Sequence, residues 1–377
     1  MIPSATHHPN APGTDLTALD RHGDDDVAPG MVDFAVNVRG RTPGWMVDAL
    51  AARLPDLAAY PLRDDHDAAV DAIARTHHRD RREVLPLAGA AEGFALLAQL
   101  RPRTAAVIAP TFTEPERVLS SAGVHVTRVV CPEPWDVAAA DVPADADLVI
   151  VGNPTNPTSV LHTRQAIESL RRPGRIVVVD EAFADVTLAV RDGVEIDEPE
   201  SLVEAAHPDV IVIRSITKTF ALAGLRAGYL CAAADVIARL TAGRPHWPVG
   251  TLQLAAIQAA LSERGRAHAR EQARVVRADR EDMCAALTEA GITVCGTPAA
   301  SFLLVRVADG TARKNHLARA GFAVRSCANF AGLGPDHLRL AVRDRDAVAG
   351  LIAAWYRADD AGHHRHDTHR TDMTDGN

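Results

Sequence analysis

From Thr104 onward, short apolar runs alternate along the chain with stretches of helical spacing. The runs occupy residues 105–108, 124–130, 148–151, 176–179 and 210–213, and Val and Ile dominate most of them. They are continuously apolar instead of alternating, which predicts strands covered on both faces. A mostly parallel sheet in an α/β large domain follows. After Trp247-Pro248 the pattern becomes helical: Leu252, Ala255, Ala256, Ala259 and Ala260 share one face, and Val276, Met283 and Leu287 continue the spacing until Gly291. A second α/β piece spans 292–356, with strand-like segments at 301–305 and 338–342. The expected organisation is a Pro-, Gly-, Asp- and His-rich mobile arm over 1–30, a large domain over 31–250, an interdomain helical region over 251–290, a small domain over 291–357 and a disordered tail over 358–377. Internal repeats are absent.

Composition narrows this picture. A hydrophobic content of 47% across 377 residues supports sizeable cores. A net charge of −9, with arginines scattered among acids, gives no footing for nucleic acid. The five cysteines, Cys131, Cys231, Cys284, Cys295 and Cys327, form no C-x-x-C pair and fit a reduced, cytoplasmic setting. No signal-peptide pattern opens the chain, and no apolar run approaches the ~20 residues of a membrane span. His363, His364, His366 and His369 give the tail weak metal affinity at most.

The candidate chemistry begins with a scarcity. Lys218 and Lys314 are the only lysines, so arginine supplies nearly every positive charge. Lys218 follows the apolar run 210–213 directly, in Ser215-Ile216-Thr217-Lys218-Thr219-Phe220. Lysine offers there a primary amine that can lose its proton and attack a carbonyl. Three further motifs stand at strand ends, where ligands of open α/β sheets gather. Small residues around Gly89-Ala90-Ala91 open a helix whose free N–H groups suit an anion. Asn153-Pro154-Thr155-Asn156-Pro157 forms a rigid turn that presents Asn156. Asp180-Glu181 closes an apolar strand, where buried acids need a partner; a pyridinium nitrogen would serve for one. Ser215 and Arg226 flank Lys218 and suit a phosphate.

Together these motifs resemble the fold-type I pyridoxal-phosphate enzymes of the aminotransferase superfamily. The likeness covers residues 32–356 and is greatest to the branch of histidinol-phosphate aminotransferases and the threonine-phosphate decarboxylases of cobalamin biosynthesis. It implies a mostly parallel seven-stranded sheet between helices, a smaller C-terminal α/β domain, pyridoxal 5'-phosphate as cofactor, and a homodimer. It also implies residue roles. Lys218 would be the Schiff-base lysine, Asp180 would pair with the pyridine nitrogen, and Asn156 would bond the ring's phenolic oxygen. Ala90, Ala91, Ser215 and Arg226 would hold the cofactor phosphate, and Phe112 would stack on the ring. Arg339 would bind the substrate carboxylate. Tyr60 would reach the partner subunit's cofactor phosphate.

Departures from the aminotransferase pattern bear on the reaction. Phe183 stands where relatives on the aminotransferase side carry Tyr, whose hydroxyl bond to a charged oxygen is worth ~1.5–3 kcal/mol. Asp180-Glu181-Ala182-Phe183, with the segments 33–37, 110–114 and 247–249, is instead like the cobalamin branch. Ser159 replaces a usual glycine, and Arg39-Gly40 replaces a usual Asn-Pro after Asn37, both at the substrate end, where Asn37 would line the site. Arg325 is a candidate for a substrate phosphate. The expectation is therefore an enzyme acting at the Cα of a small phosphorylated amino acid, L-threonine-O-3-phosphate decarboxylase first, with a histidinol-phosphate-type aminotransferase as the alternative. A non-catalytic binding protein on the same fold is disfavoured because Lys218, Asp180, Asn156 and Arg339 all remain. No G-x-G-x-x-G with a downstream acid supports a dehydrogenase.

Overall fold

The structure, a computed structural model, describes residues 6–9, 19 and 24–357. The His-rich tail lies outside the described residues, as does much of the 1–30 arm. All five apolar runs form strands, and they lie side by side. In space the order is His125–Val130, Thr104–Ala109, Leu148–Gly152, Ile176–Asp180 and Val210–Ser215, every neighbouring pair parallel. Gly228–Cys231 follows antiparallel and Val84–Leu87 completes the expected seven. An eighth strand, Thr6–Pro9, is added antiparallel at the far edge, in the segment expected to be a mobile arm.

Alternate residues of each parallel strand feed opposite cores. Val149, Val151, Val177, Val179, Val210 and Val212 pack on one face. Leu148, Ile150, Val178, Ile211 and Ile213 pack on the other. Each side chain so buried stabilises the fold by roughly 1.5–3 kcal/mol. Register brings the strand ends level: Asp180 lies opposite Gly152 on one side and Ile213 on the other. The Asn-Pro turn, the acid pair and the lysine segment therefore emerge together.

The helical region divides at Ser262, whose Oγ accepts from the Gly265 N–H at 3.1 Å and caps the 27-residue helix Glu263–Glu289. Gly291, at φ +74°, closes that helix, with the Ile292 N–H returning to the Leu287 carbonyl at 2.8 Å. In the preceding helix Thr251–Leu261, the buried residues are Thr251, Leu254, Ala256, Ile257 and Ala260. Leu252, Ala255 and Ala259 are only half-buried, so the expected face is rotated. This helix is apolar nearly all round, and periodicity alone cannot orient it.

In the small domain, Phe302–Arg306 and His337–Ala341 pair antiparallel at the centre of a four-stranded sheet. The first residues of the 31–250 segment meet the small domain. Val32–Asp33 pairs with Phe322–Ala323, and Phe34 is buried among Leu303, Leu338 and Leu351 of the small domain. A two-residue strand carries no period, so its partner could not be read from sequence. This threading carries Ala35 and Asn37 up to Arg339.

Gly265 gives a test of the helix junction. A Cβ there would stand 2.1 Å from the Ala260 carbonyl oxygen. In an ordinary helix Gly→Ala stabilises by about 0.5–1 kcal/mol. Gly265→Ala should instead destabilise by ~1–3 kcal/mol, read as a lower midpoint in urea unfolding.

Candidate active site

One cleft of about 760 Å³ lies beyond the carboxyl ends of the parallel strands, against the small domain. Its walls contain Asn37, Ala90, Ala91, Phe112, Asn156, Asp180, Phe183, Ser215, Lys218, Arg226, Arg325 and Arg339. Every site residue expected from sequence is thus brought together except Tyr60, which is 72% exposed elsewhere and stacks on Trp247 at 4.4 Å between ring centroids.

The sequence builds each wall locally. Gly89, at φ +86°, turns the chain out of Val84–Leu87 into the helix Ala90–Leu96. The Arg226 guanidinium closes over this turn, its Nη2 lying 3.3 Å from where a Gly89 Cβ would be. Gly228 lets the strand after the lysine segment press against the same turn; a Cβ there would meet the Arg214 carbonyl oxygen at 2.6 Å and the Ala90 nitrogen at 3.1 Å. Ser215 Oγ and Thr217 Oγ1 lie 2.7 Å apart beside it. Helix-start N–H groups, hydroxyls and a forked cation thus gather at one end of the cleft, a donor set suited to a phosphate.

Asp180 occupies the floor, where its Oδ1 accepts from the Ala182 N–H at 3.1 Å. Burial raises its carboxyl to about 6, against a smaller lowering by that hydrogen bond. Half-buried Lys218 adds a further lowering influence from the wall. Phe112 leans on Phe94, with ring centroids 6.3 Å apart. Phe183 is buried and meets Phe302 edge-on at 5.0 Å.

At the other end Arg339 is buried in the central small-domain strand. Its Nη1 donates to Asn156 Oδ1 at 2.7 Å, its Nη2 donates to the Ala35 carbonyl, and its Nε has no hydrogen-bond partner. Burial pulls its guanidinium down to about 10, so the cation is held at a desolvation cost. Asn37 Oδ1 is also buried without a partner. Arg325 is buried, donates to Asn329 Oδ1 at 2.8 Å and lies 5.5 Å over the Phe330 ring. Glu114 and Arg117, which sequence reasoning passed over, also line the cleft and pair at 2.5 Å. Within a chain so rich in Arg-acid pairs, nothing marked that one out.

Asp180 and Glu181 face opposite ways. Glu181 turns into the protein, where Arg214 Nη1 reaches its Oε2 at 3.0 Å, Ser201 Oγ donates at 2.6 Å and the Leu202 N–H donates at 2.8 Å. Arg214 also forks onto both Glu198 oxygens at 2.6 Å. Burial still leaves Glu181 above its ordinary range despite Arg214. The signal for this network was present in the sequence: an arginine inside an apolar strand run requires an acid. No cluster of three or more metal-ligating side chains occurs among the described residues. Among these residues, no helix is long and apolar enough to cross a membrane.

The profile of the family described as aminotransferase class I and II matches residues 32–354. A histidinol-phosphate aminotransferase of Mycobacterium tuberculosis is 52% identical over 342 residues, covering 90% of this chain and 92% of that protein. A threonine-phosphate decarboxylase of Salmonella typhimurium is 28% identical over 341 residues, covering 86% and 90%. Among solved structures, the histidinol-phosphate aminotransferase of Clostridium acetobutylicum superposes with a TM-score of 0.77 at 23% identity, covering 86% of this chain and 98% of its own. L-threonine-O-3-phosphate decarboxylase of Porphyromonas gingivalis does so at 0.73 and 21%, with the same coverage. These superpositions establish the fold: it is that of the fold-type I pyridoxal-phosphate enzymes.

The Asp180 carboxyl has a pH signature. Its folded value of about 6 exceeds the unfolded value of 3.8, so ionisation disfavours the fold. That penalty is absent below about pH 4, develops as pH rises through about 6, and is complete above it. Cofactor-free Asp180→Asn protein should therefore be more stable than the parent at pH 7.5, by on the order of 1–3 kcal/mol. The gap should close towards pH 4 in thermal unfolding scans.

Proposed function

The chain belongs to the aminotransferase class I and II family, and on that premise we propose that it is a histidinol-phosphate-type aminotransferase. It would carry the amino group between a small phosphorylated amine and 2-oxoglutarate. The 52% identity over nine-tenths of the chain carries this reading. The preference for threonine-phosphate decarboxylase drawn from sequence is not upheld, since a relative of that name stands at 28%.

The enzyme depends on pyridoxal 5'-phosphate, and the residues present suit it: a carboxylate on the cleft floor, an amide beside it, an anion cradle at one end and a lysine on the wall. When bound, this cofactor supplies an aldehyde that condenses with amines and a ring that accepts electrons from Cα. The protein's own groups do the rest in this proposal. Lys218 Nζ would hold the cofactor and would move the Cα proton. Asp180 would hold a proton on the ring nitrogen, which would relieve its own buried charge. Asn156, whose Oδ1 accepts from Arg339, would bond the ring oxygen. Phe112 would stack on the ring. Ala90 and Ala91 N–H groups, Ser215 and Arg226 would hold the phosphate. The unpartnered Arg339 Nε would receive the substrate carboxylate, Asn37 would line the cleft around it, and Arg325 would receive a substrate phosphate.

Phe183 sustains a second reading. Without a hydroxyl beside the ring oxygen, the side chain instead supports Phe302 under Arg339. Which bond at Cα is broken depends on which one stands perpendicular to the ring, and a small change in how Arg339 aims the substrate redirects that choice. Decarboxylation of threonine phosphate is the competing outcome.

Turnover and assembly both test these readings. Histidinol phosphate with 2-oxoglutarate should yield glutamate, and threonine phosphate alone should release no carbon dioxide; the reverse pattern would install the decarboxylase. Lys218→Ala should lower turnover by at least ~10²–10⁴-fold. Leu54, Leu57, Tyr60 and Leu62 are exposed along 54–62, and Tyr60 stacks on exposed Trp247, a surface suited to a second copy of the chain. The protein should sediment as a homodimer, and Tyr60→Ala should loosen cofactor binding in equilibrium dialysis.

A further inference from the structure

Ser159 stands where the resemblance expects glycine, and its backbone is strained for a side chain, at φ +64°. It is fully buried. Its Oγ accepts two backbone N–H groups, from Ala299 at 3.1 Å and Ala300 at 2.8 Å, and its carbonyl accepts the Ala299 N–H at 2.8 Å. Those two alanines lead into the small domain. Ser301 bonds Val342 through its carbonyl at 2.8 Å, and Phe302 begins the strand paired with His337–Ala341, which places Leu304 opposite Arg339. The Phe302 ring also lies against the Arg339 guanidinium, 5.6 Å from Cζ to centroid. From the other side Arg280 Nη1 donates to the Ala299 carbonyl at 2.9 Å. Three residues before Ser159, the same loop offers Asn156 to Arg339.

We propose that Ser159 is a positioning residue for Arg339: its hydroxyl pegs the small domain's entry strand to the Asn-Pro loop and so sets where the guanidinium stands at Asn156. A non-glycine residue in the left-handed region is strained, and two backbone N–H groups received by one buried oxygen offset that strain. Glycine would relieve the strain and lose the peg. The effect on the cofactor rests on the reading above, in which Asn156 bonds its ring oxygen. A displaced Arg339 polarises Asn156 less, the ring oxygen loses stabilisation, and the lysine-bound cofactor holds its proton to higher pH.

The test uses holoenzyme, with Ser159→Ala and Ser159→Gly; the glycine variant fits the backbone and keeps the experiment decisive if the alanine variant fails to fold. Amide hydrogen exchange at Ala300, whose N–H the hydroxyl receives, should accelerate by about tenfold or more, whereas Ala299 keeps its bond to the Ser159 carbonyl. The pH midpoint of the bound cofactor's visible absorption should rise by about half a unit or more. In an Arg339→Lys background that rise should vanish, because the path runs through the guanidinium. Unchanged exchange in both variants, or an equal midpoint shift in both backgrounds, overturns the proposal. A purely structural Ser159 would alter the unfolding temperature and leave the midpoint in place, which overturns it equally. Asn156→Ala reports separately on the Asn156 assignment: if it leaves the midpoint unmoved while the Ser159 coupling holds, that assignment falls and the peg stands.

Discussion

The site depends on keeping a buried anion and a buried cation from neutralising one another. Asp180 accepts one backbone N–H and is left with a raised carboxyl. Arg339 spends its hydrogen bonds on an amide and a carbonyl and keeps Nε unpartnered. Desolvation opposes the charged form of either group. Each therefore suits a ligand group of the opposite charge, which in the proposed function is a pyridinium for Asp180 and a carboxylate for Arg339. The nearby Glu181–Arg214–Glu198 network shows the contrasting case, in which protein groups close their own charge balance and leave nothing for a ligand.

Strand register makes this separation possible. Because Gly152 and Ile213 flank Asp180, the floor is set by backbone hydrogen bonds of three central strands. Arg339 belongs to another sheet, and the placement of its strand relative to the floor is an interdomain matter. Most of the parallel strands were legible because both faces are covered, so their runs are apolar throughout; His125–Val130, which carries His125, Thr127 and Arg128, is the exception. Gly228–Cys231 and Val84–Leu87 were not: they are four residues long, and Gly228 and Pro86 depress the strand signal. The threading of Val32–Asp33 into the small domain, and the rotated face of Thr251–Leu261, were illegible for the related reason that pairing and packing decide them.

That the proposed cofactor residues gather in one cleft was legible for a chemical reason. A phosphate cradle, a pyridinium partner and an imine-forming amine each demand a particular residue type at a strand end, and few substitutes exist. Substrate choice carries no such demand. Phe183 pointed one way by likeness to the cobalamin branch, while identity across the whole chain points the other. In the structure Phe183 packs with Val186, Val276, Ala300 and Phe302. Its ring therefore has a packing reason to be there, and a missing hydroxyl is weak testimony about which bond is broken.

The two lysines show why position had to be weighed with scarcity. Lys314 is as rare as Lys218, yet its Nζ bonds Asp26 Oδ1 at 2.6 Å and ties the turn Asp24–Asp26 to the helix Gly310–Arg319 of the small domain. A compact ammonium suffices for that task, and arginine serves the same purpose in this chain's many other acid pairs. Rarity alone would have marked both lysines as reactive. What separates them is surroundings: Lys218 stands on the wall of a cleft whose floor is a buried carboxylate and whose far end is an anion cradle, and only there does a removable proton on nitrogen have chemical work to do.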